Sequence, residues 1–432
     1  MAQGAFFRGI DAPGTNRFIV LGLALGLLVL VQPARILAAN RGDSMDQSFD
    51  QTIEANAQQL VQQGQQIFRF DTFGDEDFWG GQLHLHEAIA GAQNGGVGTG
   101  VSPATALSVG LKVDFDALPH GLRKLLKRGQ VDLNDPATTL ALLKLDAVVG
   151  VTGHFDQSGQ ITSVGIQCAL CHSTVDDSFA PGVGKRLDGW ANRDLNVGAI
   201  VALSPALDAP TRAVFSSWGP GKYDPRFNFD GKNGPQVIPP AYGLDGLHSI
   251  TATGDGTDLM YWNRYVAVTQ MGGHGSFSEP RTGVSVTNGT DDLVSSVLPG
   301  LQAYQLSIPA PAPPAGSFDA AAAARGQQLF EGVATCSTCH SGPEFSDGNT
   351  RLHPVSDAMG EPEPPGVPSY ASRSATKQYR TSPLKGVWQH PPYFHNGTAA
   401  TLDDVVGTYN TRRSLGLTPA QVADLVQYLK SL

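Results

Sequence analysis

All four cysteines of the chain stand in two copies of one pattern, Cys168-Ala169-Leu170-Cys171-His172 and Cys336-Ser337-Thr338-Cys339-His340. Two cysteines separated by two residues, with a histidine directly after the second, form the attachment sequence of c-type haem. The thiols bond to the porphyrin edge and the adjacent imidazole turns inward to hold the iron. The three groups must be nearly consecutive because tether and ligand meet one rigid disc. A zinc site or a thiol–disulfide pair also uses C-x-x-C. Here the two pairs lie far outside zinc-ribbon spacing, and each carries its own histidine. Two covalent haem c groups are therefore expected, with His172 and His340 as metal ligands.

Those residues need elements to hold them. From Met45 to Phe68 the pattern is helical, with Phe49, Ile53, Leu60, Ile67 and Phe68 among polar residues. It closes on Gly64-Gln65-Gln66-Ile67-Phe68, and a near copy, Gly326-Gln327-Gln328-Leu329-Phe330, precedes the second motif. Each resembles the first helix of a cytochrome c domain, where the glycine admits a crossing helix and the aromatic covers the haem edge. In the first copy a long insertion separates helix from motif. Within it, Ala147–Phe155 and Ile161–Gln167 flank the turn residues Asp156–Gln160 and predict a β-hairpin that delivers the chain to Cys168. Thr138–Lys144 reads as a short helix. The stretch Gly219–Gly246 is dense in Gly, Pro, Asp and Asn and reads as an ordered loop. Asp224, Asn228, Asp230 and Asn233 there are either Ca²⁺ ligands or solvated turn residues, and the lack of EF-hand-like spacing favours the second. A Pro/Ala linker follows at 309–316, then a helix over Phe318–Glu331. At the far end Thr418-Pro419-Ala420-Gln421 is a capping box with proline at the first helical position. The stripe Val422, Leu425, Val426 and Leu429 should then cross the Phe318–Glu331 helix. The expected fold is mainly α: two cytochrome c-type domains, 46–308 with a small β-hairpin insertion and 317–432, each around one covalent haem.

The N-terminus bears on location. Arg8 and Arg17 precede the apolar run Phe18–Val31, followed by Pro33, Ala34, Ala38 and Ala39. That is the layout of a secretory signal over residues 1–39, and the run is shorter than the roughly 20 residues a spanning helix needs. An uncleaved anchor is the alternative, and only that would bring the chain to a membrane. A periplasmic location suits the cysteines, since c-type haem is attached outside the bacterial cytoplasm. The 432 residues are 41% hydrophobic and 16% charged, with 51 Gly and 29 Pro, which is ample for more than one core and many loops. A net charge of −10 excludes nucleic acid as a partner class and suits a basic electron donor.

Beyond the haem motifs, Thr381-Ser382-Pro383-Leu384-Lys385-Gly386-Val387-Trp388 is followed by Pro392-Tyr393-Phe394-His395-Asn396-Gly397 and Thr401-Leu402-Asp403-Asp404-Val405-Val406. From Gly64 to Leu432 the chain resembles the bacterial di-haem cytochrome c peroxidase superfamily, which includes the methylamine dehydrogenase maturation enzyme and, distantly, the rubber oxygenases. The resemblance implies that Tyr409 is the distal ligand of the second haem, with Met359, His353, His390 and His395 ranked below it. It implies that Trp262, in Leu259-Met260-Tyr261-Trp262-Asn263-Arg264, relays electrons between the haems, and that Arg264 and Arg193 bind haem propionates. On the first haem it leaves His274 as a displaceable ligand or general base, Phe277 as an apolar distal wall, and Glu279 as the nearest carboxylate to the family's catalytic acid.

Three readings follow. The first is a peroxidase-type enzyme fed at the C-terminal haem by a small redox protein, a cytochrome c or cupredoxin, and reducing peroxide at the N-terminal haem. The second is an O₂-dependent oxygenase, which the apolar Phe277 favours. The third is a two-haem electron carrier without catalysis, against which the hard anionic donor Tyr409 speaks.

Overall fold

The computed structural model describes residues 48–360, 368–389 and 391–432. The expected signal segment and His390 lie outside them. Residues 59–432 form one compact unit, and the described residues before them, 48–58, lie outside it. Helix accounts for 41% of the described residues and strand for 11%. The elements that matter for the site run α1 (Phe49–Phe70), β1 (Val151–Phe155), β2 (Ile161–Ile166) and α2 (Ala169–His172). Then come α3 (Leu259–Val266), β3 (Gly275–Glu279), β4 (Val284–Asn288) and α4 (Leu298–Ser307). The chain ends with α5 (Ala320–Glu331), α6 (Leu402–Arg412) and α7 (Pro419–Ser431). Among the described residues no helix is long and apolar enough to cross a membrane.

The repeated Gly-Gln-Gln-x-Phe stretches form two helix crossings built alike. A Cβ placed on Gly64 would lie 1.9 Å from the Gly300 carbonyl oxygen of α4, and one on Gly326 would lie 2.1 Å from the Asp424 carbonyl oxygen of α7. Glycine is what lets the backbones touch. One turn on, Phe68 meets Tyr304 edge-on at 5.5 Å, and Phe330 meets Tyr428 at 5.2 Å. Such aromatic pairs contribute roughly 0.5–1.5 kcal/mol beyond their buried area. The sequence reading anticipates the α5–α7 crossing; the α1–α4 crossing is its unforeseen twin, with Leu301 and Tyr304 spaced as Leu425 and Tyr428 are. Asp319 caps α5, and capping boxes start α6 (Thr401, Asp404) and α7 (Thr418, Gln421).

The hairpin β1–β2 is antiparallel, with Val151 opposite Ile166. It hands the chain to Cys168, as expected. A second hairpin, β3–β4, pairs Phe277 with Val286 and Glu279 with Val284. Period-two alternation buries Gly275, Phe277 and Glu279 while Ser276 and Ser278 face solvent. The loop 219–246 holds only two-residue strands and a one-turn helix. Its acidic residues do not converge as a Ca²⁺ site. Arg373 lies between Asp224 (3.0 Å) and Asp230 (2.7 Å), and Asn233 accepts from the Trp218 indole at 2.9 Å. A guanidinium does there what a cation would do.

Candidate functional site

The two haem motifs are wired in the same way. In each, the backbone N–H of the histidine returns to the first cysteine carbonyl, at 3.1 Å for His172 and 2.9 Å for His340. In each, Nδ1 donates to a carbonyl: His172 to Pro239 at 3.0 Å and His340 to Phe345 at 3.1 Å. A donating Nδ1 fixes the tautomer and leaves the Nε2 lone pair for a metal. Burial keeps both rings neutral, lowering His340 and bringing His172 down to about 4. Burial also pushes Cys168 and Cys171 up to about 12 and Cys336 up to about 11. Thiolates, which zinc binding or disulfide exchange would need, are disfavoured there. All four cysteines are unpaired.

Close to each motif lies an arginine whose charge the described residues leave uncompensated. Arg193 donates to the Pro392 carbonyl at 2.8 Å, but its Nε is shielded and has no partner. It sits near enough to His172 to help lower that ring, and burial brings its own value down to about 10. Arg380 donates to the carbonyls of Ser249 and Ile250, and its Nε is likewise orphaned. Its side chain packs on Gly348, in the loop that receives His340 Nδ1, and burial brings it too down to about 10. A desolvated guanidinium without a carboxylate is costly. Haem carries two propionates, so the donor set fits the group at both places. Sequence reasoning missed Arg380, which nothing in the pattern distinguishes from a surface arginine.

Arg264 is not such a residue. Its Nε donates to the Ser276 carbonyl at 2.7 Å, Nη1 binds Ser295, and Nη2 meets Asp292 at 3.2 Å. Its charge is already matched. His274 also stands apart from the expected role. Nε2 bonds Asp77 at 2.9 Å, and the ring is wedged between Gly74 and Gly289, where added Cβ atoms would lie 2.9 and 2.4 Å away. It pins the chain after Phe73 to the β3–β4 hairpin, with Nε2 taken up by Asp77.

The other three residues of the expected reactive face are brought together. Trp262, Phe277 and Glu279 line a cavity of ≈20 Å³ with Tyr261, Tyr265 and Arg226, room for about one water-sized molecule. Phe277 is edge-on to Tyr261 at 5.4 Å and to Tyr265 at 5.0 Å. Arg281 grips Glu279 through both carboxylate oxygens, at 2.8 and 2.5 Å, and holds it down at about 2. An acid so held is ionised and has no proton to give. Tyr261, which donates to Glu279 at 2.9 Å, is the O–H group on that wall. A larger cleft of ≈370 Å³, lined by His86, Glu87, Asn94, Asp156 and Gln160, contains no haem-motif residue.

Around the second motif, Tyr409 lies on α6 with its hydroxyl pushed up to about 12 by burial and then by the nearby Cys336 and Cys339. No hydrogen bond to that hydroxyl is found among the described residues. Met359 is also buried, with its carbonyl held by Arg412 of α6 at 2.7 Å. His353 is committed to Asp347 at 3.1 Å, and His395 stacks on Tyr379 at 4.6 Å. Asp75 is a further residue that the sequence does not single out. It is fully buried and accepts from Ile166 N–H at 3.0 Å, which fixes the chain just before Cys168.

Residues 378–415 match the family described as RoxA-like, cytochrome c-like. Cytochrome-c peroxidase IdrP1 of Denitromonas iodatirespirans is 32% identical over 26% of this chain and 40% of its own length. Cytochrome-c peroxidase IdrP2 of Pseudomonas sp. (strain SCT) is 30% identical over 26% of this chain and 39% of its own. The chain thus spans about two fifths of these relatives. Among solved structures, hydrazine synthase of Kuenenia stuttgartiensis pressurized with 20 bar xenon shares 21% identity at a TM-score of 0.31. A MauG-like protein associated with microbial copper homeostasis shares 19% at 0.32. Each covers 46% of this chain and 73% of the other; at such TM-scores neither bears on the fold. The motifs, their fixed histidine tautomers and the sequence relatives define a c-type cytochrome. Within that class, the part of the chain these comparisons cover is similar to cytochrome-c peroxidases and to RoxA-like cytochromes.

Proposed function

We propose that the chain is a periplasmic di-haem oxidoreductase of the peroxidase type. In this reading it has two cytochrome c-type halves, 46–308 and 317–432, that take electrons at the C-terminal haem and reduce peroxide at the N-terminal one. The observation that carries the reading is the asymmetry between the two motifs. His340 shares its surroundings with a buried, unbonded phenol, Tyr409, while the core around Cys168 contains Phe277 and borders a cavity whose phenols and carboxylate, Tyr261, Tyr265 and Glu279, are all engaged by other residues. A closed second haem and an open first one suit a carrier feeding a reactor. When bound, the first haem supplies an iron that can receive peroxide and deliver electrons to it. The chain does the rest. Pro239 and Phe345 orient the proximal imidazoles, and Arg193 and Arg380 neutralise propionates. Phe277 and Tyr265 keep bulk water out, and the Tyr261 hydroxyl, donating to Glu279, fixes that carboxylate at the cavity wall. Trp262, packed against both the Cys168 core and the Ala241–Ile250 segment, is the polarisable ring that would relay electrons between the two haems. The donor is a small redox protein, a cytochrome c or cupredoxin, and the net charge of −10 favours a basic one.

One observation favours the oxygenase reading as the second choice. Glu279 is locked as an anion, so the cavity lacks a protonated carboxylic acid to assist O–O cleavage. The discriminating experiment supplies the holoprotein with reduced cytochrome c and either hydrogen peroxide or O₂. Peroxide-dependent oxidation of the donor supports the peroxidase. Steady O₂ uptake with an unsaturated hydrocarbon and no peroxide turnover supports the oxygenase, and inertness to both leaves the electron carrier.

A further inference from the structure

The wall of the small cavity beside Trp262 has a hydrogen-bond donor left unused, and it belongs to an arginine. Arg226 is 8% exposed, and its guanidinium is held on two sides. Nη2 donates to Asp255 at 2.8 Å, and the guanidinium lies over the Tyr370 ring at 4.6 Å. The backbone N–H of Arg226 donates to the Asp224 side chain at 2.9 Å. The residue before it, Pro225, receives the Tyr265 hydroxyl at 3.0 Å and the Gln270 amide. Asp255 is equally fixed, by the Thr253 hydroxyl at 2.8 Å and the Thr376 N–H at 3.2 Å. Nη1, by contrast, is shielded from solvent and has no partner among the described residues.

Two features set Arg226 apart from Arg193 and Arg380. Its charge is already matched by Asp255, so it does not need a propionate. What remains is a single N–H group on a residue that borders a space of ≈20 Å³, room for about one small molecule. A shielded donor without an acceptor costs free energy that an acceptor of the right size recovers. The hydroxyl and carboxylate groups of the wall are spent elsewhere. Tyr261 and Arg281 hold Glu279, and Tyr265 donates to Pro225. The Thr251 hydroxyl accepts from the Asp255 N–H at 2.9 Å, and the Thr282 hydroxyl donates to the Glu279 carbonyl at 3.2 Å. Arg226 and Arg281 balance Asp255 and Glu279, which suits a guest that brings no net charge of its own.

We infer that Arg226 seats the small oxidant in this cavity, with Nη1 donating a hydrogen bond to one oxygen of hydrogen peroxide; the inference rests on the peroxidase-type reading above and names the residue that positions its substrate. No covalent bond forms or breaks in this step. The guanidinium keeps its protons, since arginine stays charged in proteins. It therefore orients and polarises the oxygen and does not act as an acid. Asp255 and Tyr370 already fix the group, so the donor is in place before the guest arrives. Glu279, ionised and gripped by Arg281, has no proton with which to do the same.

The test compares the holoprotein in wild type, Arg226→Lys and the charge-balanced Arg226→Gln/Asp255→Asn variant, with haem content and melting temperature measured alongside. Lysine keeps a charge for Asp255 but lacks the planar fork. The double variant leaves no buried charge unpaired, should lysine not be tolerated. Fluoride, a hydrogen-bond acceptor whose charge ferric iron takes up, is titrated by optical absorption. The C–O stretch of the ferrous protein under carbon monoxide is read by infrared spectroscopy. The inference predicts fluoride binding weaker by about tenfold or more in both variants, equivalent to at least about 1.4 kcal/mol. It also predicts a C–O stretch moved to higher frequency, and a second-order rate of peroxide consumption that falls in step with fluoride affinity. Wild-type fluoride affinity and C–O stretch in both variants, at full haem content, overturn the inference and leave the peroxidase reading standing. A lowered potential of the first haem with those two readouts unchanged makes Arg226 a propionate partner and overturns it equally. A wild-type protein in which neither haem takes up fluoride or carbon monoxide overturns that reading, and the inference with it.

Discussion

Replacing Arg281 with alanine should turn Glu279 from a fixed anion into a working acid. Arg281 bonds both oxygens of that carboxylate and is the chief reason it lies at about 2 rather than at its ordinary 4.5. At pH 5 a group at 2 is protonated in about one molecule in a thousand, and a group at 4.5 in about one in four, so the acid form rises about 200-fold. Arg281 is half exposed, so water already screens the pair and that ratio is an upper limit. Tyr261 and the Arg281 backbone N–H still reach Glu279 in the variant, which keeps the carboxyl in place at the cavity. If proton supply limits peroxide cleavage there, peroxide consumption by Arg281→Ala should climb as pH falls from 7 to 4.5, while the wild type stays flat. The assay is stopped-flow peroxide consumption with reduced cytochrome c across that range, after confirming equal haem content. Superimposable pH profiles for the two proteins would refute the assignment of Glu279 to the reacting space. Stability gives a second handle on the same pair. A carboxylate lowered on folding stabilises the protein above about 4.5 and loses that contribution as pH falls toward 2. Acid unfolding of the wild type between those values should therefore be steeper than that of Arg281→Ala.

Other perturbations have equally definite outcomes. Gly326→Ala puts a Cβ 2.1 Å from the Asp424 carbonyl oxygen; forced separation of the helices should cost roughly 1–3 kcal/mol, against at most about 1 kcal/mol of improved helix preference. Gly121→Ala, where nothing lies within 4 Å, should be neutral or stabilising, and thermal unfolding followed by circular dichroism distinguishes the two. Tyr409→Phe should change the ferric absorption and electron paramagnetic resonance of one haem only, whereas Met359→Leu should change neither; the reverse result makes Met359 the ligand. Arg193→Leu removes a positive charge beside the first haem, so spectroelectrochemistry should find that haem's potential lowered while the apoprotein melts no earlier than wild type.

What the sequence reveals depends on whether a role is local. The haem motifs, the β1–β2 hairpin and the helices α1, α5 and α7 are written in consecutive residues, and their caps and spacing announce them. Even the α5–α7 crossing is legible, since Gly326 and the stripe from Val422 to Leu429 must meet something. Roles that depend on a partner distant in the chain are not. His274 and Arg264 have the chemistry of a ligand and a propionate anchor, yet Asp77 and Asp292 claim them. Glu279 reads as an acid until Arg281 closes on it. Arg380, Asp75 and the Arg226–Asp255 pair emerge only when segments far apart in sequence pack together. The β3–β4 hairpin was hidden because Gly and Ser dilute its apolar alternation to Phe277 alone between Gly275 and Glu279.

The account stands on two irons, each tied to this polypeptide through sulfur. Whole-protein mass spectrometry of the denatured holoprotein, alongside its pyridine haemochrome spectrum, measures that directly. Two haem masses should remain on every chain, falling to one in the Cys168→Ala/Cys171→Ala variant. A denatured chain that releases its pigment, or carries zinc instead, contradicts it.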